Sequence, residues 1–457
     1  MNTEKKPWEY GLLHTEKGCP YLLNGDRMFF WLGDTAWLLF SKLNREEMET
    51  YLRNRAEKGF TVIQAVAVHH FPAVNVYGQA AFADEEKKLP AGETENGYWE
   101  LIDFAVRRAA ELGMYVGLLP HWGDQREKFT MAQMESYVRF LAGRYGSEPN
   151  IIWVTGGDTR GSQGADYWKT MGRLLKERCP AQLVTFHPFG RTSSLDYFPE
   201  EDWLDFHMFQ SGHRRYDQKV LDAWDDTVKQ QEEAGIPYYG EDNWRYVQDV
   251  QKAGEPKPVL DGEPSYEHIP QGLHLGDQPY WSTEQVRRYG WWCMLAGGCG
   301  FTYGHNSVMQ FYEGKGQGAF HVKLHWKDAI HGPACDSVAH MKEILEEILA
   351  KHFREAKPAQ ELLAGDCVWE ETQKEERILA MEAGTWIVCY SYTGKTVELD
   401  GSRLGEGALS YWWVNPMSGV KSYGGRREIS GESLKFETPK GDDAHKDWVL
   451  LLKKEEA

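Results

Sequence analysis

The chain has no run of roughly 18 apolar residues, so no membrane-spanning helix is expected. Cysteine is sparse and scattered: Cys19, Cys179, Cys293, Cys299, Cys335, Cys367 and Cys389 form no CxxC pair. An odd, dispersed set predicts thiols packed as small hydrophobes in a reducing compartment. The opening MNTEKKPWEYGLL lacks both a long apolar segment and a small-residue cleavage site. A cytoplasmic protein without a secretory signal is therefore the expectation. Positive charge is also short, with 51 Lys and Arg against 69 Asp and Glu and a net charge of −18. No basic field offsets phosphate repulsion, so a nucleic-acid partner is not expected. HExxH is missing, and no GxGxxG opens the first helix. Gly297-Gly298-Cys299-Gly300 lacks the Lys-Ser/Thr of a phosphate loop and reads as close packing.

What is abundant is aromatic. The 457 residues include 19 tryptophans. Trp and Tyr combine flat apolar faces with polar edges. Such faces suit the C–H faces of sugar rings; the competing use is a tryptophan-rich core.

The chain alternates short apolar runs with amphipathic helices. A hairpin signal, Asn24-Gly25, precedes the run ending at Asp34-Thr35. Further runs are Thr61–Val68, Tyr115–Pro120, Ile151–Val154, Gln182–Phe186, Phe206–Gln210, Pro258–Leu260 and Gly300–Tyr303. Helices are expected after Asn44, over Tyr98–Leu112, around Met131–Tyr145, near Asp166–Arg178, over about Gln218–Ala234, near Thr283–Leu295 and over Ser337–Lys351. Eight such units predict a (β/α)8 TIM barrel rather than an open doubly wound sheet. Continuous rather than alternating apolar strands agree with buried parallel pairing.

Near Lys357-Pro358 the pattern becomes short strands separated by turns such as Thr393-Gly394 and Asn415-Pro416. The expected division is a catalytic barrel over residues 1–355 and a small all-β sandwich over 356–457. No Gly/Ser-rich linker separates them, which predicts rigid packing. Within the second domain, Trp412 or Trp413 is a candidate sugar contact, with a structural brace as the other reading.

Strand C-terminal ends converge on one rim of such a barrel. Collecting them gives Asp34, Thr35, Trp37, Gln64, His69, His70, His121, Trp122, Asp158, His187, Gln210, His213, Glu263, Tyr303 and His305. The set is aromatic, hydrogen-bonding and nearly free of Lys and Arg. It predicts a neutral polyol substrate and is poor for phosphate. His69 and His70, adjacent on a strand, cannot both point into one site. No cofactor and no metal are expected.

Glycosidic cleavage usually takes two carboxylates. Asp158 and Glu263, on strands four and seven, can flank a bond between them. A carboxyl beside a second carboxylate has its pKa raised, which suits Asp158 as acid/base with Glu263 as nucleophile. Glu267 is the rival nucleophile, and Glu241 is placed on a long loop over the cleft. A noncatalytic carbohydrate-binding barrel and a metal-dependent hydrolase are the alternatives.

FWLGDTAW (Phe30–Trp37), IIWVTGGD (Ile151–Asp158), Met208–His213 and PVLDGEPSYE resemble glycoside hydrolase family 140, the apiosidase-like enzymes, whose relatives are often labelled as collagenases or collagen-binding proteins. The resemblance covers essentially the whole chain. It implies a retaining enzyme acting on plant-derived, pectin-type and apiose-containing oligosaccharides or glycosides, with Asp158 and Glu263 in the catalytic roles. Two departures stand out. Family members carry secretion signals. An Asn commonly precedes the strand-four acid in the wider barrel glycosidases, whereas Gly157 stands here, so Gln210 or His121 is expected to contact the sugar 2-hydroxyl.

Overall fold

A computed structural model describes residues 5–440 and 446–455. Its larger part is a nearly closed barrel of parallel strands. In chain order they are Trp31–Thr35, Val62–Val68, Tyr115–His121, Ile151–Thr159, Val184–Pro188, His207–Gln210, Val259–Asp261 and Gly300–Tyr303. Pairing runs from the fifth strand back to the first, then through the eighth and seventh to the sixth. The seam between fifth and sixth is bridged by the Asp205 N–H donating to the Val184 carbonyl at 2.9 Å. Thr185 Oγ1 donates to the Phe206 carbonyl across the same seam at 2.7 Å. Thr192–Ser193 adds a short antiparallel strand on the sixth.

The strands are apolar throughout because the barrel interior covers one face and helices cover the other. Every residue of Val62–Val68 is buried. Helix starts follow local chemistry. Asn44, Thr130 and Ser282 each accept a backbone N–H from the third residue of the following helix. The helix expected over Gln218–Ala234 is only Thr227–Glu233. Ahead of it, Asp225 accepts from the Leu221 and Thr227 backbone N–H groups and holds the chain in a turn. A further helix, Trp244–Lys252, buries Trp244, Val247 and Val250. It follows Glu241, which is buried and paired with Arg288 rather than standing over a cleft.

The C-terminal region is an antiparallel six-stranded sheet ordered Lys357–Pro358, Ile378–Ala383, Trp386–Ser391, Trp448–Lys454, Gly407–Val414 and Lys421–Ile429. A two-stranded sheet of Val397–Leu399 and Leu434–Phe436 covers one face. Ile387, Cys389, Val397, Leu399 and Phe436 form the core between them. Trp413 belongs to this core, whereas Trp412 is half-buried beside Trp386 at 5.8 Å. The opposite face packs on the barrel. Tyr390 stacks on Trp291 at 5.6 Å. Arg287 donates from two nitrogens to Asp447, each at 2.7 Å, with both side chains buried.

Candidate active site

At the end of the fourth strand Gly156, Gly157 and Asp158 have φ of 85°, 83° and 44°. Asp158 is the one non-glycine of the three, and left-handed backbone at such a residue is worth a functional question. A Cβ at position 157 would lie 2.9 Å from the Trp122 ring. Any side chain there would press on the Trp122 and Leu119 side chains. The Asp158 N–H donates to His187 Nδ1 at 3.4 Å. Its carboxyl is exposed to the cavity but ringed by protein. Burial among these groups and the nearby Glu263 charge push its pKa up, against smaller opposing pulls from His187, Arg191 and His213.

Glu263 follows the seventh strand. Gly262 N–H donates to the Phe209 carbonyl at 2.8 Å, and the Gly262 carbonyl accepts from Gln64 Nε2 at 3.0 Å. A Cβ at 262 would meet the Met208 sulfur, so a larger residue there would displace the buried Met208 side chain. The Glu263 carbonyl accepts from the Gly212 N–H at 3.1 Å. Backbone on both sides of the side chain is thus fixed.

The carboxylate of Glu263 sits between two histidines. His187 Nε2 is 3.1 Å from Oε2, and His213 Nε2 is 3.1 Å from Oε1. Each ring accepts a backbone N–H on its other nitrogen, His187 from Asp158 and His213 from Tyr266, both at 3.4 Å. An imidazole that accepts on Nδ1 carries its proton on Nε2. Both rings therefore turn a protonated Nε2 toward Glu263; His213 donates to Oε1, whereas His187 stands 3.1 Å from Oε2 outside hydrogen-bond geometry. Burial pushes this carboxyl up, but the two histidines outweigh it and hold the pKa down to about 2.

A cavity of about 430 Å³ opens over these groups. Of the side chains expected from the sequence, Trp37, Trp122, Asp158, Gln210, His213 and Glu263 line it, and His187 touches Glu263 from behind. His69 lines it too, stacked on Trp122 at 5.2 Å, while His70 points to solvent. The remaining strand-end residues do not line it. Asp34 is buried against Arg55 at 2.9 Å and Tyr51 at 2.5 Å, and Thr35 is buried beside it. Gln64 acts on the backbone under Glu263. His121 is tied to the Tyr167 hydroxyl at 2.7 Å and stacked on Phe129. His305 caps the turn at Ser307. Tyr303 donates to Glu267 at 2.6 Å. Glu267 also accepts from Thr283 and from the Ala334 N–H, so the rival carboxylate is consumed inside the fold. The sequence reading missed Arg191, Arg214 and Trp224, which stand on loops beyond the strand ends. Among the described residues no cluster of three or more His, Cys, Asp or Glu could hold a metal.

Residues 17–352 match the family model described as "Apiosidase-like, catalytic domain". Residues 358–453 match one described as "Putative collagen-binding domain of a collagenase". Among curated proteins no match was found. A solved glycoside hydrolase is 36% identical with a TM-score of 0.90, covering 99% of each chain. A glycoside hydrolase family 5 protein from Bacteroides vulgatus ATCC 8482 is 33% identical with a TM-score of 0.88, over 98% of this chain and 94% of that one. With a carboxyl pair at the mouth of a nearly closed (β/α)8 barrel and a family match over most of its length, this chain belongs to the apiosidase-like glycoside hydrolases.

Proposed function

We propose that the protein is a retaining O-glycosidase. Glu263 attacks the anomeric carbon while Asp158 protonates the departing oxygen. Asp158 then takes a proton from water as the water displaces Glu263 from the glycosyl-enzyme. The observation that carries this reading is the placement of two carboxyls, from the fourth and seventh strands, in the wall of one cavity. The histidines beside Glu263 favour its ionised form, and burial and the Glu263 charge push Asp158 toward its protonated form. Trp37 and Trp122, with centroids 4.9 Å apart, offer an apolar wall for a sugar ring. Gln210 lines the cavity, where its amide suits contact with a sugar hydroxyl such as the 2-hydroxyl.

The substrates are proposed as plant-derived, pectin-type oligosaccharides or glycosides, apiose-containing ones among them, in line with placement in glycoside hydrolase family 140. Seven free, buried thiols favour a cytoplasmic setting in which imported oligosaccharides are the substrate. The test is a panel of aryl glycosides and pectin-derived oligosaccharides, with Asp158→Asn and Glu263→Gln as controls. Turnover by the wild type and its loss in both variants is expected. Full activity in either folded variant would sink the assignment.

A further inference from the structure

The stretch that carries Glu263 also holds the loop that carries its partner. His213 donates to Glu263 Oε1 at 3.1 Å and sits on the loop after the sixth strand. That loop is anchored from positions 261 to 266. The Gly212 N–H donates to the Glu263 carbonyl at 3.1 Å, and Ser265 Oγ donates to the Gly212 carbonyl at 2.7 Å. The Tyr266 N–H donates to His213 Nδ1 at 3.4 Å. The remaining anchor is a carboxylate. Asp261, the last residue of the seventh strand, is fully buried. Its Oδ2 accepts from Ser211 Oγ at 2.7 Å and its Oδ1 from the Ser211 N–H at 3.4 Å. Asn243 Nδ2 donates to Oδ2 at 3.1 Å and to the Tyr289 carbonyl at 2.8 Å, which ties the carboxylate to the helix Thr283–Leu295.

Strand pairing does not require a carboxyl at this position. Backbone register already sets Met208 beside Leu260 and Phe209 beside Asp261. Burying a carboxylate among neutral donors is costly, and burial here pushes its pKa up to about 7. The Ser211 N–H and the Asn243 amide nitrogen can only donate, so the ionised form is the one that these donors hold. What a carboxylate supplies and an amide does not is a second acceptor oxygen. Both donors of Ser211 are thereby fixed, two residues before His213. Neither Ser211 nor Asp261 lines the cavity, so their influence on the site runs through the loop.

We propose that Asp261 is a positioning residue for catalysis, which sets His213 against Glu263 by holding Ser211. This rests on the reading of Glu263 as nucleophile. The test is a double-mutant cycle at about pH 8, where Asp261 is ionised. Asp261→Asn should lower kcat about ten-fold and leave KM within about two-fold. In a His213→Ala background the same change should alter kcat by less than about two-fold. Ser211→Ala, which keeps the carboxylate, should reproduce part of the loss with the same dependence on His213, and it carries the test if Asp261→Asn does not fold. Equal losses in the two backgrounds would overturn the proposal. So would a lowered melting temperature with kcat intact. A second readout needs no turnover. In NMR of histidine-labelled protein, the His213 Nε2–H resonance is the one lost in His213→Ala. Asp261→Asn and Ser211→Ala should make this proton exchange with water about ten-fold faster, with the buried His305 ring unchanged. An unmoved His213 resonance in the folded variants would overturn the proposal. A moved resonance in a protein whose wild type hydrolyses no glycoside would count against the nucleophile reading alone.

Discussion

From the fourth strand to the seventh, the polar residues at the strand ends converge on open space. From the eighth round to the second, most of them face other protein groups, with His69 at the cavity wall and the exposed His70 as the exceptions. Asp158, Gln210, His213 and Glu263 line the cavity, whereas Asp34, Thr35, Gln64, Tyr303 and His305 are buried inside the fold. Both arcs are built from the same kind of sequence, an apolar run that stops at a polar side chain. What separates them is whether protein groups close over the side chain. Asp34 is held through Oδ2 by Arg55 and Tyr51, and Glu267 by Tyr303, Thr283 and Ala334. Glu263, four residues before Glu267, accepts from His213, has His187 3.1 Å away, and lines the cavity.

The largest expected effects sit on the open arc. Replacing Asp158 by Asn removes general acid–base catalysis and should reduce kcat/KM by about 10²- to 10⁴-fold. Glu263→Gln should be at least as severe. Circular dichroism should show both folded. If Glu267→Gln matched them in a protein of unchanged stability, the distinction between the two glutamates would collapse.

The closed arc should respond in stability instead. Asp34→Ala leaves the Arg55 guanidinium buried without its carboxylate, a loss of about 3–5 kcal/mol. Urea unfolding at pH 7 reads this directly. Turnover per folded molecule should change little. A large kcat loss with stability intact would move Asp34 into the active arc.

The barrel was legible because its signals are local. Apolar runs of strand length, Asn44, Thr130 and Ser282 as caps, and glycines at turns all act within a few residues. The strand Lys421–Ile429 was not legible. Its sequence KSYGGRREI is almost wholly exposed, and only backbone pairing with Gly407–Val414 makes it a strand. The helix Trp244–Lys252 did carry a readable signal in Trp244, Val247 and Val250, on one face three residues apart. Within the site, the polar strand ends were readable as a set, but which of them are consumed depends on partners far away in sequence, such as Arg55 for Asp34. Arg191 and Arg214 were invisible to a search of strand ends because they stand on the loops after the fifth and sixth strands.

A smaller effect belongs to the histidines. His213→Ala removes one donor to a charged acceptor, an interaction of about 1.5–3 kcal/mol. One pKa unit corresponds to about 1.4 kcal/mol, so the Glu263 pKa should rise by one to two units. Turnover needs this group ionised, so the acid limb of kcat/KM should move to higher pH. The sign for stability follows from the same depressed pKa. In the wild type Glu263 contributes stability above its unfolded pKa of about 4.3, and loses it as pH falls toward 2. The variant should lose less over that window. His213→Gln, which keeps an N–H, should restore part of the limb. A general packing defect would lower activity without moving it.

The smallest effect tests how far the closed arc serves the open one. Gln64 is fully buried, and its amide donates to the Gly262 carbonyl at 3.0 Å, one residue before the proposed nucleophile. Its other amide atom, Oε1, has no partner among the described residues. Gln64→Leu removes a neutral hydrogen bond of about 0.5–1.5 kcal/mol and leaves one buried carbonyl unsatisfied. Gln64 does not line the cavity, so KM should stay within about two-fold. A misaligned Glu263 would cost the chemical step, and kcat should fall by up to about ten-fold. A rise in KM at constant kcat would mean that Gln64 reaches the substrate after all. A stability loss with kcat unchanged would place it with Asp34, as a strand-end polar group that serves only the barrel.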